Sequence, residues 1–315
     1  EFARLPVYKQ NEEKGDYTVV LTPTTPGNGL VFNQTWVGDA EVEKWVQNKD
    51  FRLALALGLD RDEFRAALKL GQGGLGHNLP KEDHPWFQGE EMYTKNATFD
   101  PAKGNEILDS LGLTEKDADG NRLRSDGSGK PLVLECYTIS RAATDDEVEL
   151  ISSQWTANLG IKTIPKPVSR SNYEGLRSSD DMMIDCIGSH ISPRSIPNVT
   201  WPFQALGGKY GTWYQSEGSE GVGPPAGPYK RLQDIYVEAN KLRVADRKTL
   251  YEEGWGLYID NVMGTGINRH FPSHMIVIKN NTRNVLLTAP PQYQYPGEIH
   301  LDQMYFVGGK NSAGF

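Results

Sequence analysis

The sequence predicts an α/β fold whose sheet contains parallel strand pairs. Between residues 132 and 188 a β-rich run, an amphipathic helical stretch, a second β-rich run, a short helix and a buried apolar run follow one another. Two parallel strands need a long crossover between them, and helices over the sheet faces supply it. The chain has 315 residues, 37% hydrophobic and 23% charged, which is enough for one large domain or two ordinary ones with a substantial core. Several of the helical stretches also carry explicit start and stop residues, so their limits can be read directly.

The elements run as follows. Asp16 to Thr22, DYTVVLT, is a strand by its β-branched content, and Gly29 to Asn33, GLVFN, is a second strand after a Pro26-Gly27 turn. Asp39 to Gln47 is a short helix. Asp50 is the expected N-cap of a helix from Phe51, which Gly58 should end in a left-handed conformation. Asp60 starts another helix at once, with Glu63 completing a capping-box pattern. Phe64, Ala67 and Leu68 share one face, and Gly71 ends the helix. A loop runs to Thr98. Asp100 then caps a helix with Pro101 at its first position, ending at Leu111 before Gly112. Residues 117–130 form a turn-rich hairpin. The 131–138 run, PLVLECYT, is a strand, Asp145 to Leu159 a helix, and IKTIPKPVS (161–169) a strand near a sheet edge because of its prolines. Ser171 to Ser178 is a helix and Met182 to Gly188 a buried strand. Residues 189–228 read as irregular. Helices follow at Tyr229 to Leu242 and Asp246 to Asp260, then strands in VMGTGIN (262–268) and HMIVIKN (274–280).

Composition narrows the function. A net charge of −8 repels phosphate backbones, so nucleic acid is not an expected partner. No apolar run approaches the ~18 residues that suggest a membrane span. Residues 1–14 lack the basic start and apolar run of a signal peptide and read as the middle of a longer protein. Cys136 and Cys186 each lie in a short apolar run. Two buried thiols is the first reading. A bridge between neighbouring strands is the second, in an oxidising compartment.

Gly71-Gln72-Gly73-Gly74-Leu75-Gly76 matches the letters of a dinucleotide fingerprint. That motif must follow a strand and open a helix. Here it follows a helix and leads into a proline-broken loop, so no cofactor is expected and the glycines read as a scaffold corner. Asp117, Asp119 and Asn121 alternate as in a calcium loop, but Arg122 and Ser128 occupy the positions that need glycine and glutamate, so no metal is expected either. There is no G-x-S-x-G elbow and no H-E-x-x-H, and the histidines are scattered.

The order of elements resembles a known family. DFRLALALGLDRDEF (50–64) is similar to the R-x-A-[LI]-x-x-[AG]-[LI]-[DN]-R-[DE] signature of extracytoplasmic solute-binding proteins of the oligopeptide/dipeptide ABC importer family. FDPAKGNEILDSLGL resembles its Y-D-P-x-K-A helix, ISSQWTANLGIKTIPKPVSRSNYEGL its W-x-x-x-G-I-K-V unit, and MMIDCIG its F-D strand. The resemblance implies a clamshell of two α/β lobes closing on a solute. This chain would be the C-terminal lobe, a periplasmic-binding-protein-like mixed sheet flanked by helices, with crossover strands to an N-terminal lobe largely outside it. Residues 1–33 would link to that lobe, 34–270 form the C-terminal lobe and 271–315 return. The implied activity is solute capture, not turnover, by a monomer that docks on membrane permease subunits in a periplasmic or extracellular setting. The alternatives are a carboxylate-based hydrolase, or a signalling module without a pocket.

Peptide-binding members place an aspartate after the F-D strand to hold the peptide amino terminus. Gly188 to Phe203 contains no acidic residue, and an unpartnered buried ammonium is costly. The segment is rich in Ser, His, Asn, Trp and Arg, which suit an oligosaccharide or another neutral solute. The candidate ligand-binding residues are Asn33, Trp36, Ser189, His190, Arg194, Trp201, Trp213, Tyr214 and Arg269. Trp201 leads them, because ligands of open α/β sheets favour the carboxyl ends of strands. Trp36 can equally be core, His190 a hydrogen-bonded strand end, and Trp213 an anchor for its own loop.

Overall fold

A computed structural model of the chain describes residues 4–21, 27–186, 196–197, 200, 206–272, 275–285 and 303–307. In chain order the elements are α1 (Leu5–Gln10), α2 (Glu12–Gly15), β1 (Tyr17–Leu21), β2 (Gly29–Phe32), α3 (Ala40–Gln47), α4 (Lys49–Leu57), α5 (Arg61–Lys69), β3 (Gly74–Leu75), α6 (Glu91–Thr94) and α7 (Pro101–Ser110). Then come β4 (Val133–Ile139), α8 (Ala142–Leu159), β5 (Lys162–Val168), α9 (Arg170–Ser178), β6 (Ile184–Cys186), α10 (Gly208–Gln215), α11 (Pro228–Asn240), α12 (Lys248–Asp260), β7 (Gly264–Gly266), β8 (Asn268–Arg269), β9 (Met275–Lys279), β10 (Thr282–Arg283) and β11 (Tyr305–Phe306).

The central sheet is mixed, in the order β5-β4-β6-β2-β7. β4 runs parallel to both β5 and β6, whereas β2 is antiparallel to β6 and β7. β5, with Pro165 and Pro167, is an edge strand, where a missing N–H costs least. Alternation along β4 sends Leu134 and Cys136 to one face and Tyr137 and Ile139 to the other. The first face packs under α3, α4, α7 and α8 through Phe51, Leu55, Leu108, Ile151 and Trp155. The second packs under α9 to α12 and is rich in aromatics, among them Tyr173, Tyr210, Tyr251, Trp255 and Tyr258.

The α4–α5 corner departs from the sequence reading in its details. Asn48, not Asp50, caps α4 and accepts from the Asp50 and Phe51 amides at 2.9 and 3.0 Å. Asp50 sits in the first turn, where its charge suits the helix dipole. Gly58 is right-handed (φ −76°). Glycine is needed there for space, since a Cβ would lie 2.5 Å from Leu159 Cδ1. Asp60 does cap α5, accepting from the Glu63 amide at 3.1 Å. Gln154 of α8 supplies the other half of the expected box: its oxygen accepts from the Asp60 amide at 2.9 Å and its amide donates to Glu63 at 2.6 Å. Phe64 is buried and Leu68 partly so, but Ala67 is exposed.

Two arginines of this corner are buried. Arg52 donates to the carbonyls of Val46, Asn261 and Val262 and to Gln34 Oε1, at 2.7–3.1 Å. Arg61 donates to the carbonyls of Ala56, Leu59 and Gly266 and to Thr265 Oγ1, at 2.7–3.1 Å. Burial draws the Arg61 pKa down to about 9, still well above neutrality. Both thereby tie the corner to residues 261–266, the segment that forms β7.

Elsewhere α8 begins at Ala142, three residues before its expected start. The 189–228 region contains α10, a helix that its glycine and tyrosine content concealed. Within the expected 182–188 strand, Ile184–Cys186 form β6, fully buried, while Met182 and Met183 precede it outside the strand. Cys136 and Cys186 are bridged, with Cα atoms 5.7 Å apart on neighbouring parallel strands, so the two-thiol reading gives way to the disulfide. In the 117–130 turn Asp117 accepts from the amides of Asp119 and Asn121 and from the Asn121 side chain, which makes it a turn cap.

Two stability measurements test this packing. Arg61→Met should lower the urea-unfolding free energy by about 3 kcal/mol, because it orphans several buried acceptors. The partly exposed neighbour Arg65→Met, which loses only a surface pair with Asp62, should change it by less than about 0.5 kcal/mol. Replacing both Cys136 and Cys186 by alanine should cost about 2–4 kcal/mol, since the bridge closes a loop with a sequence separation of 50. Unreduced protein, unfolded in denaturant, should show no free thiol to Ellman's reagent.

Candidate functional site

The carboxyl ends of β4, β5, β6 and β7 and the start of β2 share one edge of the sheet, as the pairing of Gly29 with Gly266 shows. The chain arrives there from β1 and leaves for β9. β1 and β9 pair with each other over Tyr17–Leu21 and Met275–Lys279, in a ribbon separate from the main sheet. Entry and exit therefore lie side by side.

The exit is built on close backbone approaches. β3 pairs with β8. A Cβ on Gly76 would meet the Tyr93 carbonyl at 1.9 Å, and one on Gly266 would meet the Gly76 carbonyl at 2.2 Å. Gly73, Gly74 and Gly76 thus serve close packing in and beside β3 at this edge. His77 donates from Nε2 to the Lys95 carbonyl at 2.8 Å and accepts on Nδ1 from the Gly266 amide at 3.2 Å. Both ring nitrogens are used in the neutral form, and burial pulls its pKa down to about 4. His270 is set similarly: Nε2 meets the Leu79 carbonyl at 2.8 Å, Nδ1 faces Arg269, and burial draws its pKa to about 4.

Beside the entry lies a buried charged group. Glu147 of α8 accepts from Lys69 of α5 and, on both oxygens, from the Asn28 side chain at 3.2 and 2.9 Å. Burial raises the Glu147 pKa, against the pull of Lys69. Sequence reading missed this group. A lysine at a helix end and a glutamate near a helix start look solvated; the available signal was that Glu147 lies on the i, i+4, i+7 row with Ile151 and Gln154, beside the apolar stripe.

Ser189, His190, Arg194 and Trp201 lie outside the described residues, in the segment that follows β6 at its carboxyl end. The remaining candidates do not converge. Asn33 is buried at the opposite edge, donating to Asp180 Oδ1 and the Met182 carbonyl at 2.9 Å each and accepting from the Thr35 amide at 3.0 Å. Asp180 also accepts from Thr35 Oγ1 at 2.7 Å and the Gly208 amide at 3.0 Å, and burial raises its pKa. Asp180 therefore pins the start of α10, and Asn33 holds Asp180. Trp36 packs on the first core and donates to the Asp181 carbonyl at 3.2 Å. Trp213 is wrapped by the turn carrying Gly218 and Gly223, so it anchors its own loop, and Tyr214 is half-buried on the same helix. Arg269 lies at the strand-end edge but is engaged: its guanidinium sits 3.5 Å from the Tyr93 ring centroid and donates to the Leu75 carbonyl and Glu90.

Among the described residues no group of three or more His, Cys, Asp or Glu could hold a metal ion, and no helix is long and apolar enough to cross a membrane. The buried carboxylate of β6, Asp185, accepts the Tyr173 hydroxyl on both oxygens at 2.8 Å.

A mixed α/β sheet flanked by helices, with entering and returning strands paired outside it, defines one lobe of a periplasmic-binding-protein-type fold. The family profile for the middle part of bacterial extracellular solute-binding proteins, family 5, matches residues 2–211. The chain belongs to that family. Among solved structures it is similar to the oligopeptide-binding protein OppA, at 22% identity and a TM-score of 0.72 over 97% of this chain and 51% of the other. It is also similar to the oligopeptide-binding protein AppA from Bacillus subtilis, solved with a nonapeptide (16%, TM-score 0.63, 96% and 55%). A third is a periplasmic oligopeptide-binding protein from Thermotoga maritima, solved with mannohexaose (16%, TM-score 0.61, 93% and 54%). The chain thus spans about half the length of these structures. No curated protein sequence matches it.

The His77 geometry predicts a pH dependence. The unfolded ring takes up a proton near its ordinary pKa of 6.5, the folded one only near 4. The resulting stability is fully present above pH 6.5 and is lost as pH falls toward 4. By linkage the difference is about 3 kcal/mol. His77→Gln should flatten the slope of urea stability between pH 7 and 4; an unchanged slope would mean that His77 does not titrate this way.

Proposed function

We propose that the chain is the C-terminal lobe of the substrate-binding subunit of an ABC importer. It captures an oligosaccharide or oligopeptide-type solute outside the cytoplasmic membrane and presents it, as a monomer, to membrane permease subunits. Residues 1–33 lead in from the other lobe and end in β2, the strand they add to this lobe's central sheet; 34–270 form the rest of this lobe, and 271–315 return. One observation carries the reading. The chain enters and leaves a family 5 lobe at the sheet edge where the strand carboxyl ends gather, which is where a solute between two lobes would lie.

Two features favour binding over turnover. A carboxylate-based hydrolase needs carboxyl groups facing its substrate, at a separation set by the mechanism. The buried carboxylates of Glu147, Asp180 and Asp185 are instead engaged by groups of the lobe itself. The relatives solved with a nonapeptide and with mannohexaose are oligopeptide-binding proteins.

The solute preference follows from residues 188–203, which contain no carboxylate and do contain Trp201. A neutral oligosaccharide, stacked on an indole and hydrogen-bonded by hydroxyl and amide groups, suits this composition better than a free ammonium. Titration calorimetry of the full-length protein with short peptides and oligosaccharides tests this. The expected result is saccharide binding that Trp201→Ala weakens several-fold, mostly through faster release. Tight binding of a peptide that vanishes on acetylating its amino terminus would overturn the saccharide preference and leave the importer reading standing.

A further inference from the structure

The buried Lys69–Glu147 group stands where the two chain passages meet, and its neighbours belong to both. Asn28, at the entry, is held through its side chain by Glu147. Its backbone amide donates to Asn268 Oδ1 at 2.8 Å, and its carbonyl accepts from the Ile267 amide at 2.8 Å, so the entry residue grips the exit. Phe271, further along the exit, places its ring 4.8 Å from the Lys69 ammonium. Contact between the passages is backbone to backbone: a Cβ on Gly27 would lie 1.7 Å from the Asn268 carbonyl oxygen.

A buried ion pair is a poor source of net stability, because desolvation offsets the attraction. What this one supplies is direction. Glu147 and Lys69 belong to different helices, and both oxygens of the carboxylate bond the Asn28 amide. An apolar pair of equal volume would fill the same space without orienting Asn28. We propose that the Lys69–Glu147 pair is a pivot anchor. Through Asn28 and Phe271 it couples the entering and returning passages, so that the β1–β9 ribbon moves against the lobe as one body about residues 27–28 and 267–271. The consequence for solute affinity rests on the binding-protein reading; the coupling itself does not.

Hydrogen exchange on the full-length protein tests the coupling without any solute. The variants are Glu147→Gln and the double variant Lys69→Met/Glu147→Leu, which replaces the pair by apolar side chains and keeps the core filled. In both, segments 27–30 and 265–272 should exchange at least about tenfold faster, while 133–139 of β4 changes by less than about threefold. Unchanged exchange at 27–30 and 265–272 in the double variant would overturn the proposal. So would an equal loss of protection in β4, which would make the pair a general stabiliser. A calorimetric arm separates the two readings: if wild type binds neither peptides nor saccharides, the solute reading fails whatever the exchange shows. If solute binds and exchange is unchanged, the anchor fails alone.

Discussion

The lobe depends on two guanidinium groups held away from water without a carboxylate. The hydrogen bonds of Arg52 and Arg61 described above all end on neutral oxygens. A carboxylate would satisfy one or two donors; a set of neutral oxygens takes four bonds from each guanidinium and reaches several chain segments at once. The segments reached are the end of α3, the end of α4 and residues 261–266. β7 is an edge strand of three residues, two of them glycine, that pairs in the sheet with β2 alone, and these bonds add to its hold. The arginines of the family signature therefore act from within the scaffold. They hold the strand from which the chain departs.

That constraint propagates. With β7 fixed, Gly266 can receive Gly76 at backbone distance and donate its amide to His77. β3 can then pair with β8, and Arg269 can lie over Tyr93. On the other side of the corner, Gln154 binds both Asp60 and Glu63 and so docks α8 on α5. The same docking brings Glu147 to Lys69. The disulfide joins β4 and β6 within the first core, beneath α8. Both passages of the chain thus rest on a base whose helices, sheet and strand ends are bonded to one another.

The two faces of the sheet divide the physical work. Aliphatic and tryptophan side chains under α4 and α8 make a core without polar tips to satisfy, apart from indole N–H groups such as that of Trp155, which donates to the Leu55 carbonyl. The opposite face is filled with tyrosines, whose hydroxyl groups need partners when buried. Tyr173 meets Asp185 and Tyr93 meets the Pro80 carbonyl.

The sequence by itself determined the alternation of strands and helices, the edge position of β5, the caps at Asp60 and Asp100 and the family. These rest on local chemistry: side-chain period, proline's missing N–H, and a carboxylate or amide within three residues of free amides. Where two nearby residues could do the same local job, the sequence did not choose, and Asn48 took the cap expected of Asp50. Only the tertiary structure decided the pairing of Cys136 with Cys186, the burial of Arg52, Arg61, Lys69 and Glu147, and the different fates of the candidate residues. Asn33, Trp36 and Trp213 have the chemical type of a ligand contact, and packing engages them in the scaffold. Burying a charge is acceptable only where partners arrive from elsewhere in the chain. Glu147 reaches Asn28 across 119 positions and Arg61 reaches Gly266 across 205, and a separation of that size leaves no local trace.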